Sequence, residues 1–106
     1  MSQEDVIKKI KAYLKALKQE GIPVEKAYLY GSHARRQANE SSDIDVMLVS
    51  GVFDTNDDYI LSRPWLFTSE IDYRIEPLAI GSKRFHTDDV SPVIEIVRRE
   101  GIEIVL

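Results

Sequence analysis

Apolar residues recur along the first segment at the three-and-four spacing of one helix face: Val6, Ile7, Ile10, Tyr13, Leu14 and Leu17. Lys8, Lys9, Lys11, Lys15 and Lys18 fall mostly between them. That lysine run reads as the solvated side of the helix rather than as a nucleic-acid surface. Ser2 followed by Asp5 is an N-cap arrangement, and Gly21 then Pro23 supply the stop. The pattern then changes. Residues 24–30 read as a strand entering the core, interrupted by Gly31-Ser32, and residues 32–38 are long enough for a helical turn or two. Asn39-Glu40-Ser41-Ser42 is a polar loop. Residues 43–49, Asp-Ile-Asp-Val-Met-Leu-Val, read as a second strand. Its last four residues are continuously apolar, as in a strand covered on both faces.

Residues 50–69 carry the weakest pattern. Asp54-Thr55-Asn56-Asp57-Asp58 is an acidic loop, and Tyr59 to Leu66 predicts a short helix ended or bent around Pro64. Its spacing of acids opens like a calcium loop. Tyr59 stands where glycine is required and Trp65 where the bidentate Glu belongs, which excludes one. Residues 70–80 alternate and predict a third strand, with Pro77 favouring an edge or a strand end. Gly81 closes it. Asp88 or Ser91 caps a last helix reaching about Glu100, with Pro92 in its first turn and Val93, Ile94, Ile96 and Val97 as its apolar positions. Gly101 ends that helix, and residues 102–106 predict a final strand. The order α-β-α-β-(α)-β-α-β implies an α/β (α+β) fold, a central mixed sheet flanked by helices. Residues 1–106 are expected to form a single small domain.

Composition narrows the function classes. Apolar residues are 43% and charged residues 30% of the chain, ordinary for a globular protein. No run approaches the ~18 apolar residues of a membrane span, and the acidic start is not that of a secretory signal. The expected location is the cytoplasm. The absence of cysteine excludes disulfides and thiol chemistry, and two histidines, His33 and His86, are too few for a histidine-rich zinc site. A net charge of −4 argues against an electrostatic duplex-DNA binder. It leaves room for a nucleotide bound through a metal ion.

The candidate chemistry lies in residues 29–46. A Gly-Ser pair where a strand turns toward a helix leaves backbone N–H groups pointing outward, and with the Ser32 hydroxyl these can cradle a phosphate. Gly31 admits a ligand close to the backbone. Asp43 and Asp45 are two residues apart on a predicted strand and so share a face. Two like charges at that spacing need a counter-ion, and paired carboxylates are what holds Mg²⁺ beside substrate phosphates. A third acid on a neighbouring strand would complete a two-metal site. Asp72, Arg74 and Glu76 share one face of the third predicted strand, so either acid could serve.

Gly-Ser-x-Ala-Arg at residues 31–35 followed by Ser-Asp-Ile-Asp-Val at 42–46 resembles the signature of the minimal nucleotidyltransferases, small members of the DNA-polymerase-β-like superfamily. The twelve positions from Gly31 to Asp43 match that family's spacing, and the element order resembles it over nearly the whole chain. The resemblance implies a nucleotidyltransferase fold in which Gly31 and Ser32, with Arg35 and Ser42 nearby, bind a nucleoside triphosphate. It implies that Asp43, Asp45 and Glu76 ligate Mg²⁺, with two ions expected, and that ATP is the substrate. Glu76 leads as third carboxylate because Arg74-Ile75-Glu76-Pro77 resembles relatives with an acid before proline. Asp72 is the alternative. Arg35 would neutralise charge on the leaving pyrophosphate. One departure is Arg36, where relatives carry glycine.

The implied activity is Mg²⁺-dependent transfer of AMP from ATP to a hydroxyl. A chain this small has little surface for an acceptor, and minimal members of the family are often encoded beside a helical HEPN protein. The resemblance therefore implies the antitoxin of a toxin–antitoxin pair acting on a protein acceptor. The alternative is a catalytically degenerate module that neutralises or scaffolds such a partner; an unrelated interaction domain would show no nucleotide response at all. His33 is expected to be a variable turn position and His86 an exposed loop residue. Tyr59, Trp65 and Phe67 are expected in the core or at a partner interface, which leaves a homo-oligomer open.

Overall fold

A computed structural model describes residues 1–106. Helix α1 spans Gln3–Gln19 and opens on a capping box: Ser2 Oγ accepts from Asp5 N while the Asp5 carboxylate accepts from Ser2 N. Strand β1 (Lys26–Tyr30) is followed by β2 (Ile44–Ser50), a 3₁₀ turn at Gly51–Phe53, and the short helix α2 (Asp58–Ser62). A 3₁₀ turn at Arg63–Phe67 carries Pro64 and leads toward β3 (Ile75–Gly81). Helices α3 (Ser82–Thr87) and α4 (Pro92–Glu100) precede β4 (Ile102–Glu103). No helix is long and apolar enough to cross a membrane.

The four strands form one mixed sheet in the order β3-β2-β1-β4. β1 is antiparallel to both neighbours, and β2 is parallel to β3. Pro77 lies in the edge strand, where its missing donor costs no ladder bond on the open side. Alternate strand residues feed two cores. One face, with Ala27, Leu29, Ile44, Val46, Leu48 and Ile75, packs on Val6, Ile10, Tyr13, Leu14 and Leu17 of α1. Its cluster of 14 buried residues outweighs the 6 on the other face, where Met47, Val49 and Ile80 meet Phe85, Ile94 and Val97 of α3 and α4. The α1 face is therefore the main store of hydrophobic stability. Tyr13 is fully buried and donates its hydroxyl to Pro64 O at 2.6 Å, which ties α1 to the turn before β3.

Several expectations need correction. Residues 32–36 form one hydrogen-bonded turn rather than a helix. The third strand begins at Ile75, not at residue 70. Ile71 N and Asp72 N both donate to Thr68 O, and the Asp72 carboxylate takes the N–H of Arg74, so this stretch is a turn. Asp72 and Arg74 therefore do not share a strand face with Glu76. Helix α3 lies outside the expected elements. Its first N–H groups are capped by Asp54, which accepts from Lys83 N at 3.0 Å across a large gap in sequence. His86 accordingly lies on a helix, exposed as expected. Ser91, rather than Asp88, is the N-cap of α4. The final strand stops at Glu103, although Ile104 N still donates to Ala27 O.

Candidate functional site

The sheet register builds the site. Tyr30 is the partner of Asp45 across β1 and β2, and Asp45 is the partner of Glu76 across β2 and β3. The three side chains thus form one row on the same face of the sheet. The next row inward on that face is Tyr28, Met47 and Leu78, which belongs to the core under α3 and α4. The acids stand at the open end of the smaller core, where Glu76 is exposed and Tyr30 and Asp45 are half-buried.

This placement leaves Asp45 short of positive charge. Burial, then the neighbouring charges of Glu76 and Asp43, push its carboxyl up to about 6, with Arg35 opposing them. The Tyr30 hydroxyl is pushed up to about 12 by burial and by the same Asp45 and Glu76. Strand β2 starts at Ile44, so Asp43 lies in the loop just before it, exposed, rather than on the strand with Asp45.

The chain leaves β1 through Gly31, at φ +77°. The left-handed conformation demands glycine, and a Cβ there would also push the Asp45 carboxylate aside. The turn that follows closes with Arg35 N donating to Gly31 O, Arg36 N to His33 O and Gln37 N to Ser32 O. The N–H groups of Ser32, His33 and Ala34 donate to no backbone carbonyl and form the free start of the turn. Gln3 from α1 anchors the other side of the turn by donating to His33 O at 3.0 Å and Ala34 O at 3.3 Å.

Other residues singled out in the sequence are engaged elsewhere. Arg35 donates to Glu100 at the end of α4 (3.1 Å) and to Gln37. Ser42 Oγ accepts from Asn39 N at 2.9 Å inside its own loop. Asp72 is only 8% exposed and is held by Arg74 and Lys9 at 2.7 and 2.9 Å. Arg74 foremost holds its carboxyl far below the usual range. The structure does not bring Asp72 to the row. Two residues were missed. Tyr30 joins the row; β1 and β2 are joined by the long connection 31–43, so no sequence signal fixes the register that sets it opposite Asp45. His33 is a buried residue of the turn, 4% exposed, whose Nε2 has no partner; no sequence signal marks that.

The fit to a divalent cation can be tested on this geometry. No three His, Asp or Glu side chains converge closely enough to enclose an ion by themselves. Mg²⁺ does not need that, because it is commonly held by one or two carboxylates together with substrate phosphates and water. The donors are all hard oxygens, and Asp45 is an acid without enough neighbouring cation. The residues fit a cation that arrives with phosphate.

A Gly-Ser turn beside a row of acids on a mixed sheet defines an α/β domain suited to handling phosphate and a cation. The family model described as Polymerase beta, Nucleotidyltransferase matches residues 8–82, and the chain belongs to that family. No curated protein matches it in sequence. Its fold is similar to that of a Sulfolobus solfataricus protein provisionally described as a nucleotidyltransferase, with TM-score 0.66, 16% identity, and coverage of 95% of this chain and 80% of that one. It is also similar to a toxin–antitoxin structure with AMP-PNP, with TM-score 0.62, 21% identity, and coverage of 89% and 71%. A third similar fold is a mutant of the toxin–antitoxin MntA–HpeT in which two aspartates are replaced by glutamate, with TM-score 0.55, 18% identity, and coverage of 99% and 73%.

Proposed function

We propose that this chain transfers AMP from ATP to a hydroxyl of a protein acceptor and releases pyrophosphate. The observation that carries the reading is the register row Tyr30–Asp45–Glu76 set against the Gly31 turn. In this reading the free N–H groups after Gly31 and the Ser32 hydroxyl receive the β- and γ-phosphates. Asp43, Asp45 and Glu76 hold Mg²⁺, as one or two ions, which when bound neutralises charge on the phosphates. Glu76, the exposed member of the row, orients the attacking hydroxyl and accepts its proton. The hydroxyl oxygen bonds to the α-phosphorus as the bond to the bridging oxygen breaks. Arg35, which holds Glu100 through Nη1, would meet the departing pyrophosphate. Asp72, with both oxygens already occupied, has no step.

The acceptor in this reading is a small helical HEPN-type toxin in the cytoplasm, and the chain is its antitoxin. The likeness to two toxin–antitoxin structures supports a protein partner. Tyr59, Trp65 and Leu66, at 68%, 48% and 66% exposure, offer apolar surface for it or for a second copy. The test is transfer of label from α-labelled ATP to a co-expressed helical partner, with Mg²⁺ and without. Label on the partner that disappears with Asp45→Asn supports the reading, and wild-type activity in that variant overturns the mechanism. One observation favours the alternative, a degenerate module that only neutralises its partner: the side chains of Arg35 and Ser42 are both tied up within the chain. ATP binding without pyrophosphate release would select it.

A further inference from the structure

Arg74 opens the Arg74-Ile75-Glu76-Pro77 run but has no role assigned so far. Arg74 lies in the turn before β3, two positions ahead of Glu76. Its guanidinium donates from Nη1 to Glu40 O at 2.7 Å, and its own carbonyl accepts from Ile44 N at 2.8 Å. One residue therefore grips the 40–44 segment at both ends, bracketing Asp43 and abutting Asp45. The guanidinium is fixed in turn by Asp72. Arg74 Nε donates to Asp72 Oδ1 at 3.0 Å, Arg74 Nη2 to Asp72 Oδ2 at 2.7 Å, and Arg74 N to Oδ1 at 2.9 Å. Lys9 of α1 fills the last place on Oδ2 at 2.9 Å.

We propose that Asp72 and Arg74 are positioning residues that hold the acid-bearing 40–44 loop at a fixed distance from Glu76. The role of that spacing in metal binding rests on the nucleotidyltransferase reading. A charge pair withdrawn from water is a poor source of net stability, because the desolvation cost offsets most of the attraction. Its distinctive property is geometric. A bidentate arginine locked on one carboxylate has a third donor aimed in one direction only, and here that donor meets the Glu40 carbonyl. A lysine at position 74 would keep a charge on Asp72 but cannot also reach Glu40. Lys9 is the natural control, since it holds the same carboxylate from α1 and makes no hydrogen bond to the loop.

The experiment compares wild type, Arg74→Lys and Lys9→Met by melting temperature, by the Mg²⁺ dependence of AMP transfer, and by amide hydrogen exchange over residues 40–45. Lys9→Met is expected to lower the melting temperature while leaving kcat and the half-saturating Mg²⁺ concentration within about twofold. Arg74→Lys is expected to raise the half-saturating Mg²⁺ concentration about 10- to 100-fold, the usual cost of losing a group that orients a metal ligand, with kcat falling more than the KM for ATP changes. Exchange over 40–45 is expected to quicken in Arg74→Lys alone. If both variants shift Mg²⁺ dependence and exchange only in proportion to their loss of melting temperature, the pair is merely structural and the proposal is overturned. Unchanged exchange in Arg74→Lys overturns it too, whether or not the chain turns over. A wild type that transfers nothing to its partner would overturn the nucleotidyltransferase reading instead, leaving the bracing to be judged by exchange.

Discussion

Asp45, half-buried, and Asp72, buried, both stand near the starts of the two parallel strands, and the protein treats them in opposite ways. Asp72 is met by Arg74 and Lys9 and by a backbone N–H, which together hold its carboxyl far below the usual range. Asp45 is met by Glu76 and Asp43, and burial beside those acids pushes it up to about 6. The same contrast recurs in the backbone. The turn that ends α1 closes with Ile22 N donating to Leu17 O and Gly21 N to Lys18 O, with Gly21 in the left-handed region at φ +75°. The turn after Ser32 closes by the same two bonds, from Gln37 to Ser32 and from Arg36 to His33, with Arg36 in the left-handed region at φ +57°. On the scaffold side each demand of the fold is met within the chain. On the site side a carboxylate lacks a cation and a side chain sits where glycine belongs. Unmet demands of this kind collect where a ligand is to supply the missing partner.

The largest expected effect separates the two aspartates outright. Asp45→Asn should lower AMP transfer by about 10³-fold, the scale of losing one preorganised electrostatic group at a reacting phosphate. In metal-free buffer near neutral pH the same variant should melt higher than wild type, because a repelled charge is gone. Asp72→Asn should do the reverse for stability. The amide keeps one oxygen as acceptor but loses the charge shared by Arg74 and Lys9 and turns an NH₂ donor toward them, which should lower stability in denaturant unfolding. If Asp45→Asn destabilised the chain as much as Asp72→Asn does, the contrast would collapse and Asp45 would be another structural acid.

The pH dependence carries the same contrast with opposite signs. Asp45 binds its proton more tightly when folded than its ordinary value of 3.8 allows. It therefore favours the folded state at low pH, and that contribution is lost as pH rises from about 4 to about 6. Asp72 has a lowered folded value, so its contribution is present above the ordinary carboxylate range and is lost as pH falls below it. Wild type minus Asp45→Asn, measured as melting temperature across pH 4 to 7 without metal, should fall with pH and then level off. Saturating Mg²⁺ with ATP should reverse the fall. A flat difference would mean that Asp45 titrates as an ordinary surface acid.

The chain's own pattern disclosed most of the fold because most of it rests on local signals. The capping box at Ser2–Asp5, the apolar face of α1 and the doubly covered run of β2 are all set by residues near in sequence. What it hid depends on partners far away. Helix α3 has no capping residue of its own, and its donors go to Asp54 in a distant loop, which also occupies the space a Cβ on Gly81 would need. The alternation at 70–74 imitated a strand, but Asp72 captures the N–H that a ladder would have used. For the site, the spaced Gly-Ser and Asp-x-Asp segments named Asp45 and Gly31. The resemblance of Arg74-Ile75-Glu76-Pro77 to relatives puts Glu76 ahead of Asp72; its place beside Asp45 is a matter of register, which only the assembled sheet supplies. The ties of Arg74 are not legible in the sequence, because one of them is to a backbone carbonyl, which has no sequence signature.

The smallest effect tests the backbone half of the contrast. Gly21 has open space around a notional Cβ, so Gly21→Ala should cost only the strain of a left-handed alanine, about 1 kcal/mol. Arg36→Gly removes the corresponding strain from the site turn, which is worth about 1–2 kcal/mol. Against this stands the extra freedom of glycine in the unfolded chain, up to about 1 kcal/mol. The net is an expected gain of about 0.5–1 kcal/mol, measurable in denaturant unfolding. Arg36 is exposed and its guanidinium donates no hydrogen bond and forms no ion pair within the fold, so the gain should come without an offsetting loss of such bonds. AMP transfer decides what the strain is for. If Arg36→Gly is more stable and equally active, the arginine is a tolerated departure in a turn that glycine would close with less strain. If it is more stable but at least about tenfold slower, the guanidinium reaches the phosphates, and the strained turn is part of how the site meets its substrate.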